Sequence, residues 1–168
     1  MISLFRMLAA YNDWANRRLF SATAELPEEA YRADRGAFFK SVHGTLNHLL
    51  VTDRIWMKRF TGQGESPERL DAILFEHLSD LEQARKAEDA RISAYVDGLD
   101  EAALALRFRY RRASTPEEFE QPLAPALLHV FNHQTHHRGQ VHAILTGFGR
   151  HAPALDLMQF QRQSGLGM

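Results

Sequence analysis

The chain has no cysteine. That excludes a disulfide framework, a cysteine-ligated zinc site and a thiol nucleophile supplied by the protein itself. It has no excess of charge: 20 basic against 21 acidic residues leave a formal net charge of −1. Nothing global therefore steers it toward nucleic acid or an anionic membrane, and no DNA-reading motif is present. No apolar run is long enough to span a bilayer. No charged-then-apolar export signal opens the chain, because MISLFRMLAAYNDWANRRLF meets polar residues too early. The expected setting is cytoplasmic. Proline and glycine are sparse, with no repeat and no low-complexity tract. The length of 168 residues suits one domain, residues 1–168, with a sizeable core.

What the chain does have is apolar residues at helical spacing. Leu4, Leu8, Tyr11, Ala15, Leu19 and Phe20 predict a helix from residue 2 to about 25, ended by Pro27. A second helix is expected from about Phe38 to Phe60, stopped by Gly62 and Gly64. Ser66-Pro67-Glu68 has the form of a helix start, with a hydroxyl at the cap, proline next and an acid at the positive end of the dipole. The third helix is therefore expected from there to about Val96. In RFRYRR, arginines alternate with Phe108 and Tyr110, which predicts a short strand, and EFEQP its returning partner after a turn at Thr115-Pro116-Glu117. A fourth helix should start near Pro122 and Pro125 and end at Gly147 or Gly149, and Leu155, Leu157, Met158 and Phe160 suggest a short terminal helix. The fold class is all-α: a four-helix bundle with a β-hairpin before the fourth helix.

The chain is also rich in histidine. Five of its nine histidines fall within HVFNHQTHHRGQVH, residues 129–142. His133 and His137 stand four apart and so share a helix face. His137 lies close to the apolar side formed by Val130, Val141, Ile144 and Phe148; His129 and His136 fall nearer its edge, and His142 points away. Paired imidazoles turned toward a bundle interior are a standard way to hold a metal, and the glutamate of a metalloprotease H-E-x-x-H is missing. A third ligand is needed. The second helix offers His48 in HGTLNHLLVTDRIW, with His43 on another side and Asp53 in the middle of the stripe Val42, Leu46, Leu49, Trp56, Phe60. A carboxylate there must be a ligand, an acceptor for a histidine N–H, or salt-bridged. Spacing does not choose between His48 and Asp53.

Three stretches, YNDWANRRLF, HGTLNHLLVTDRIW and HVFNHQTHHRGQVHAILTGFG, give the chain a resemblance to the DinB-like superfamily of DNA-damage-inducible and YfiT-like proteins. With RFRY and EEFEQPL between them, the likeness runs over nearly the whole chain. The resemblance implies an up-down-down-up bundle, commonly a homodimer, with a metal triad of one histidine from helix two and two from helix four. In this sequence those are His48, His133 and His137, so the resemblance favours His48 over Asp53. Three neutral imidazoles suit zinc or nickel and leave coordination positions open.

Some members of that superfamily look like metal-dependent transferases. They activate a low-molecular-weight thiol (mycothiol, bacillithiol or glutathione) for attack on a small-molecule electrophile. A metal-dependent hydrolase is the alternative, with Asp53, His129 or His136 as proton-shuttle candidates. A non-catalytic metal- or small-molecule-binding stress-response protein is a third. Arg107, Arg109 and Arg111 read as a solvated strand face, with carboxylate recognition at a pocket mouth as the functional option. Arg138 is either a surface residue or a partner for an acid such as Asp53. Tyr11, Trp14 and Trp56 read as packing, Asn12 and Asn16 as hydrogen-bonding groups within the bundle, and Gly139 as either a place where another helix comes close or a tolerated irregularity.

Overall fold

The structure, a computed structural model, describes residues 1–111 and 117–167. Four long helices dominate: α1 (Ile2–Thr23), α3 (Val42–Thr61), α4 (Leu78–Asp97) and α6 (Leu123–Gly147). Short helices α2 (Glu28–Arg32), α5 (Glu101–Ala105) and α7 (Leu157–Ser164) and a hairpin of β1 (Arg107–Arg111) and β2 (Glu118–Pro122) fill the connections. The turn expected at Thr115-Pro116-Glu117 lies largely outside the described residues. Among them, no helix is long and apolar enough to cross a membrane.

Helix α1 packs on α4 and α6, and α3 packs on the same two. Which residues meet fixes the directions. Phe5 and Ala9 of α1 share a cluster with Leu123 and Leu127 of α6, and with Ile92 and Val96 from the far end of α4. Met57, late in α3, joins that same cluster. At the other end, Leu19 and Phe20 meet Leu46, Leu49, Leu81, Ile144 and Leu145. Thus α1 and α6 run one way and α3 and α4 the other, which is the up-down-down-up order. Tyr11, Ala15 and Phe160 form a smaller cluster where α7 lies against α1, and Trp14 packs on it.

Between the two apolar ends lies a buried polar layer. Asn12 and Asn16 of α1, Asp53 of α3, Arg85 and Asp89 of α4, and Gln134 and Arg138 of α6 are each no more than 3% exposed. Arg85 is 2.8 Å from Asp53 and 3.0 Å from Asp89. Asn12 and Asn16 donate to Asp89 at 2.9 and 3.1 Å. Every bundle helix contributes, so a sliding helix would strand a buried charge or amide. Stranding a charge in this way costs about 3–5 kcal/mol.

Two helix starts differ from expectation. Helix α3 begins at Val42 and not near Phe38. Ser41 caps it, its Oγ accepting from the Gly44 N–H at 3.0 Å, and Lys40 takes a positive φ of 66° just before. The larger correction is α4. Its start at Leu78, and not at Ser66-Pro67-Glu68, leaves residues 62–77 as an irregular connection. Tertiary hydrogen bonds outcompete the local start signal there. Asn47 of α3 accepts from the N–H groups of Leu74 and Phe75 at 2.8 and 3.0 Å and donates to the Phe75 carbonyl at 3.1 Å. These backbone groups are engaged by α3, so the segment is held along the bundle. The parallel α3–α4 pair needs such a return.

The hairpin follows its alternation. In register, Arg109 faces Glu120 and Tyr110 faces Phe119. The aromatic side lies on α3, where Tyr110 stands 5.3 Å from Trp56 and Phe108 5.3 Å from Phe60.

Candidate metal centre

His48 on α3 and His133 and His137 on α6 converge at the seam between these antiparallel helices. One ring nitrogen from each lies within 4.8 Å of the others. The closest pair is His48 Nε2 and His133 Nε2, 3.2 Å apart. Nitrogens bound to one zinc-like ion at about 2.0–2.1 Å stand about 3–3.5 Å from one another. That pair is already at ligating separation.

Protons are directed away from this meeting point. His48 Nδ1 lies 2.7 Å from the Leu70 carbonyl oxygen, which can only accept, so Nδ1 carries the proton and Nε2 a lone pair. His137 Nδ1 lies 2.8 Å from Gln140 Oε1, which leaves its Nε2 free in the same way. The Gln140 amide nitrogen is 3.1 Å from His136 Nε2, so one glutamine holds two neighbouring rings. Burial pushes His48 down to about 4, against the pull of the Leu70 carbonyl. Burial and the adjacent imidazoles push His133 to about 3, and burial lowers His137 as well. The rings are neutral at pH 7, the form a metal requires. The donor set therefore fits a divalent cation.

One side of the group is closed. Phe39 stacks on the His48 ring with centroids 3.6 Å apart and meets His137 edge-on at 5.5 Å. Gly44 in the first turn of α3 makes this possible, because a Cβ there would stand 2.2 Å from the Phe39 carbonyl oxygen. Another side is aromatic. The His129 ring lies 5.9 Å from His133 and 5.2 Å from Trp56.

The remaining candidates separate cleanly. Asp53 is salt-bridged to Arg85 inside the polar layer and is not in the histidine group. Burial pushes its carboxyl upward while Arg85 pulls it down; Arg85 itself stays charged, since Asp89 and Asp53 outweigh the cost of burying it. Arg138 is buried, and it bonds Asn12, Asn16 and Thr135, not Asp53. His43 ties the connection before α4, with its Nε2 3.1 Å from the Phe75 carbonyl. Arg107 and Arg109 pair with Glu120 and Arg111 with Glu118, so the strand arginines form cross-strand ion pairs. Asn12 and Asn16 bond within the bundle as expected. No helix comes close to Gly139: nothing lies within 4 Å of where its Cβ would be.

A model of the DinB family matches residues 1–165. The chain belongs to the DinB family. It is 29% identical over 158 residues to Protein DinB of Bacillus subtilis (strain 168), covering 84% of each chain. Its fold is similar to that of a crystal structure of a DinB-like protein from Bacillus cereus ATCC 10987, with a TM-score of 0.63 and 15% identity over 83% of this chain and 89% of that one. The expected bundle is thus found in a solved DinB-like structure as well.

Sequence reasoning missed Phe39, Leu70 and Gln140. Gln140 carried a signal, standing three and four residues after His137 and His136. Phe39 and the Leu70 carbonyl carried none, since both come from irregular segments whose position depends on α3.

Proposed function

We propose that this DinB-family protein holds a zinc or nickel ion on His48, His133 and His137 and transfers a low-molecular-weight thiol to a small-molecule electrophile. The observation that carries the reading is the convergence of three neutral imidazoles, two buried and one half-buried, with the outer nitrogens of His48 and His137 tied to Leu70 and Gln140. A divalent ion held there would lower the pKa of a bound thiol and so supply thiolate at neutral pH.

The chain's own residues do the rest. Leu70 and Gln140 fix the orientations of the His48 and His137 rings. Phe39 shields one face of His48, so a cosubstrate approaches from the side of His129 and Trp56. The sulfur comes from the cosubstrate, in keeping with a chain that has no cysteine. The hydrolytic alternative is weakened by Asp53: its carboxylate is committed to Arg85 and does not serve a water at the histidines.

The test has two stages. Untagged protein should contain about one zinc or nickel per chain, lost in the His48/His133/His137→Ala variant but kept in His142→Ala. The metal-loaded protein should then consume thiol and a model electrophile such as a haloalkane or epoxide together. Turnover of activated esters without thiol would favour hydrolysis. Metal without either turnover would favour a binding protein. Equal metal retention by all variants would sink the site assignment.

A further inference from the structure

The three histidines differ in what their outer nitrogens meet. His48 Nδ1 has the Leu70 carbonyl, and His137 Nδ1 has Gln140 Oε1. His133 turns Nε2 to the shared point, 3.2 Å from His48 Nε2, so its outer atom is Nδ1. Among the described residues His133 Nδ1 has no hydrogen-bond partner, and it is not sealed from solvent. Metal-ligating imidazoles almost always give that N–H to an acceptor, which fixes the ring and raises its basicity. One of the three histidines here lacks the acceptor that the other two have.

This unclaimed N–H does not stand alone. The His129 ring, one helical turn earlier, lies 5.9 Å from His133 and 5.2 Å from Trp56. Trp56 is held on several sides: by Phe60 at 5.6 Å, by Tyr110 at 5.3 Å and by the Arg59 guanidinium 4.6 Å over its ring. Its indole N–H has no acceptor among the described residues and is not sealed from solvent. Burial, and then the charge of Arg59, lower the His129 pKa, so at pH 7 this ring is neutral with one N–H to give. Three neutral N–H donors thus stand on the side of the group that Phe39 leaves open.

Charge points to what these donors meet. Asp53 is committed to Arg85, and no carboxylate of the described residues belongs to the histidine group. Three neutral imidazoles leave a divalent ion with both its charges. A thiolate cancels one of them. The other calls for a second negative charge, which the described residues do not supply there.

We propose that the cosubstrate brings this charge itself, as a carboxylate on the same small molecule as the thiol, which accepts from His133 Nδ1–H beside the N–H groups of His129 and Trp56. The inference rests on the reading of the histidines as a thiol-activating centre and names the class of thiol, a mercaptocarboxylate in place of a neutral or amino thiol. The Arg59 charge that is felt at His129 favours an anion over an amine there, and the guanidinium is fixed by its bond to the Arg111 carbonyl at 3.0 Å.

The test is calorimetric titration of zinc-loaded protein with three thiols of one length: 3-mercaptopropionate, 3-mercapto-1-propanol and 3-aminopropane-1-thiol. The carboxylate is expected to bind about 10- to 100-fold tighter than the alcohol, as for hydrogen bonds to a charged acceptor, and the amine to bind weakest. Trp56→Phe keeps a ring and removes the N–H; His129→Leu removes the neighbouring donor. Each should cut the advantage of the carboxylate by about 3- to 10-fold, with zinc content and affinity for the alcohol unchanged. In nitrogen-labelled protein, 3-mercaptopropionate should protect the His133 Nδ1 proton from exchange with water more than the alcohol does. Equal binding of the three thiols would overturn the proposal and leave the thiol reading standing. An advantage kept in full by both variants would put the carboxylate on the zinc and not on the N–H groups, and would overturn it too. No binding of any thiol would overturn the thiol reading itself, and the proposal with it.

Discussion

Two sets of polar residues sit side by side on α6, and they behave in opposite ways. His133 and His137 face α3 and, with His48, bring three neutral imidazoles together at the seam. Gln134 and Arg138 follow them directly in sequence and turn into the bundle. Gln134 donates to the Leu49 carbonyl at 3.3 Å, and Arg138 engages Asn12 and Asn16 of α1. The first set makes no covalent or ionic tie between helices; the second joins a layer to which all four helices contribute. Polar groups that bond across the bundle hold register, whereas lone pairs converging on one point could hold a metal ion. A helical step of about 100° separates each histidine from its structural neighbour.

The comparison can be broken most forcefully at Arg85. Arg85→Met removes the guanidinium and leaves Asp53 and Asp89 buried without their cation. Urea unfolding should show a loss of about 3–5 kcal/mol. A loss under 1 kcal/mol would mean that the layer does not hold the bundle. The histidine side should answer differently. Gln140→Leu removes the acceptor that orients His137 but leaves the core intact. Metal affinity should fall about 10- to 100-fold, by competition with a chromophoric chelator, with little change in stability of the metal-free chain. Unchanged affinity would show that Gln140 does not orient the ring.

Much of this division was legible in the sequence, and for a definite reason. The helices, the hairpin alternation and the His133–His137 pair are set by local periodicity, so they can be read from spacing alone. His48 was not: its choice over Asp53 came from resemblance. The structure supplies the physical account, since Asp53 is engaged by Arg85, thirty-two positions later in the chain. The start of α4 was misread because the Ser66-Pro67-Glu68 signal is local, whereas Asn47 and His43 hold the following residues from another helix. Arg138 was legible as a charged residue beside His137, but not its burial. An arginine in a polar run gives no sign that its neighbours across the bundle are amides.

Acid should sharpen the contrast by acting on the two sets with opposite sign, since burial raises the Asp53 carboxyl to about 6 while it lowers the histidines. Burial holds His48 near 4 and His133 near 3, below the ordinary 6.5. As pH falls through 6.5 the unfolded chain takes up these protons and the folded chain does not. Their contribution to stability is therefore complete above 6.5 and is lost as pH drops toward the folded values. Each ring accounts for no more than about 1.4 kcal/mol per pH unit, less where solvent screens it. Metal-free protein should thus lose stability between pH 6.5 and 4.5, and His133→Ala should flatten the slope. Parallel profiles for the two proteins would show that His133 is not held neutral by the fold.

The smallest effect is expected at Gly139, where α6 faces neither the histidine seam nor a packed neighbour. An alanine Cβ would meet nothing within 4 Å. The substitution should therefore act through the backbone alone, by removing the conformational freedom that glycine gives the unfolded chain and the helix propensity it lacks. Stability should rise by about 0.5–1 kcal/mol in chemical unfolding, with metal content unchanged. At every position of α6 that packs against another helix, an added methyl would cost free energy, so a gain at Gly139 marks this face as open. A loss of stability would mean that a neighbouring segment closes around this residue in solution. The absence of a side chain would then be required by packing.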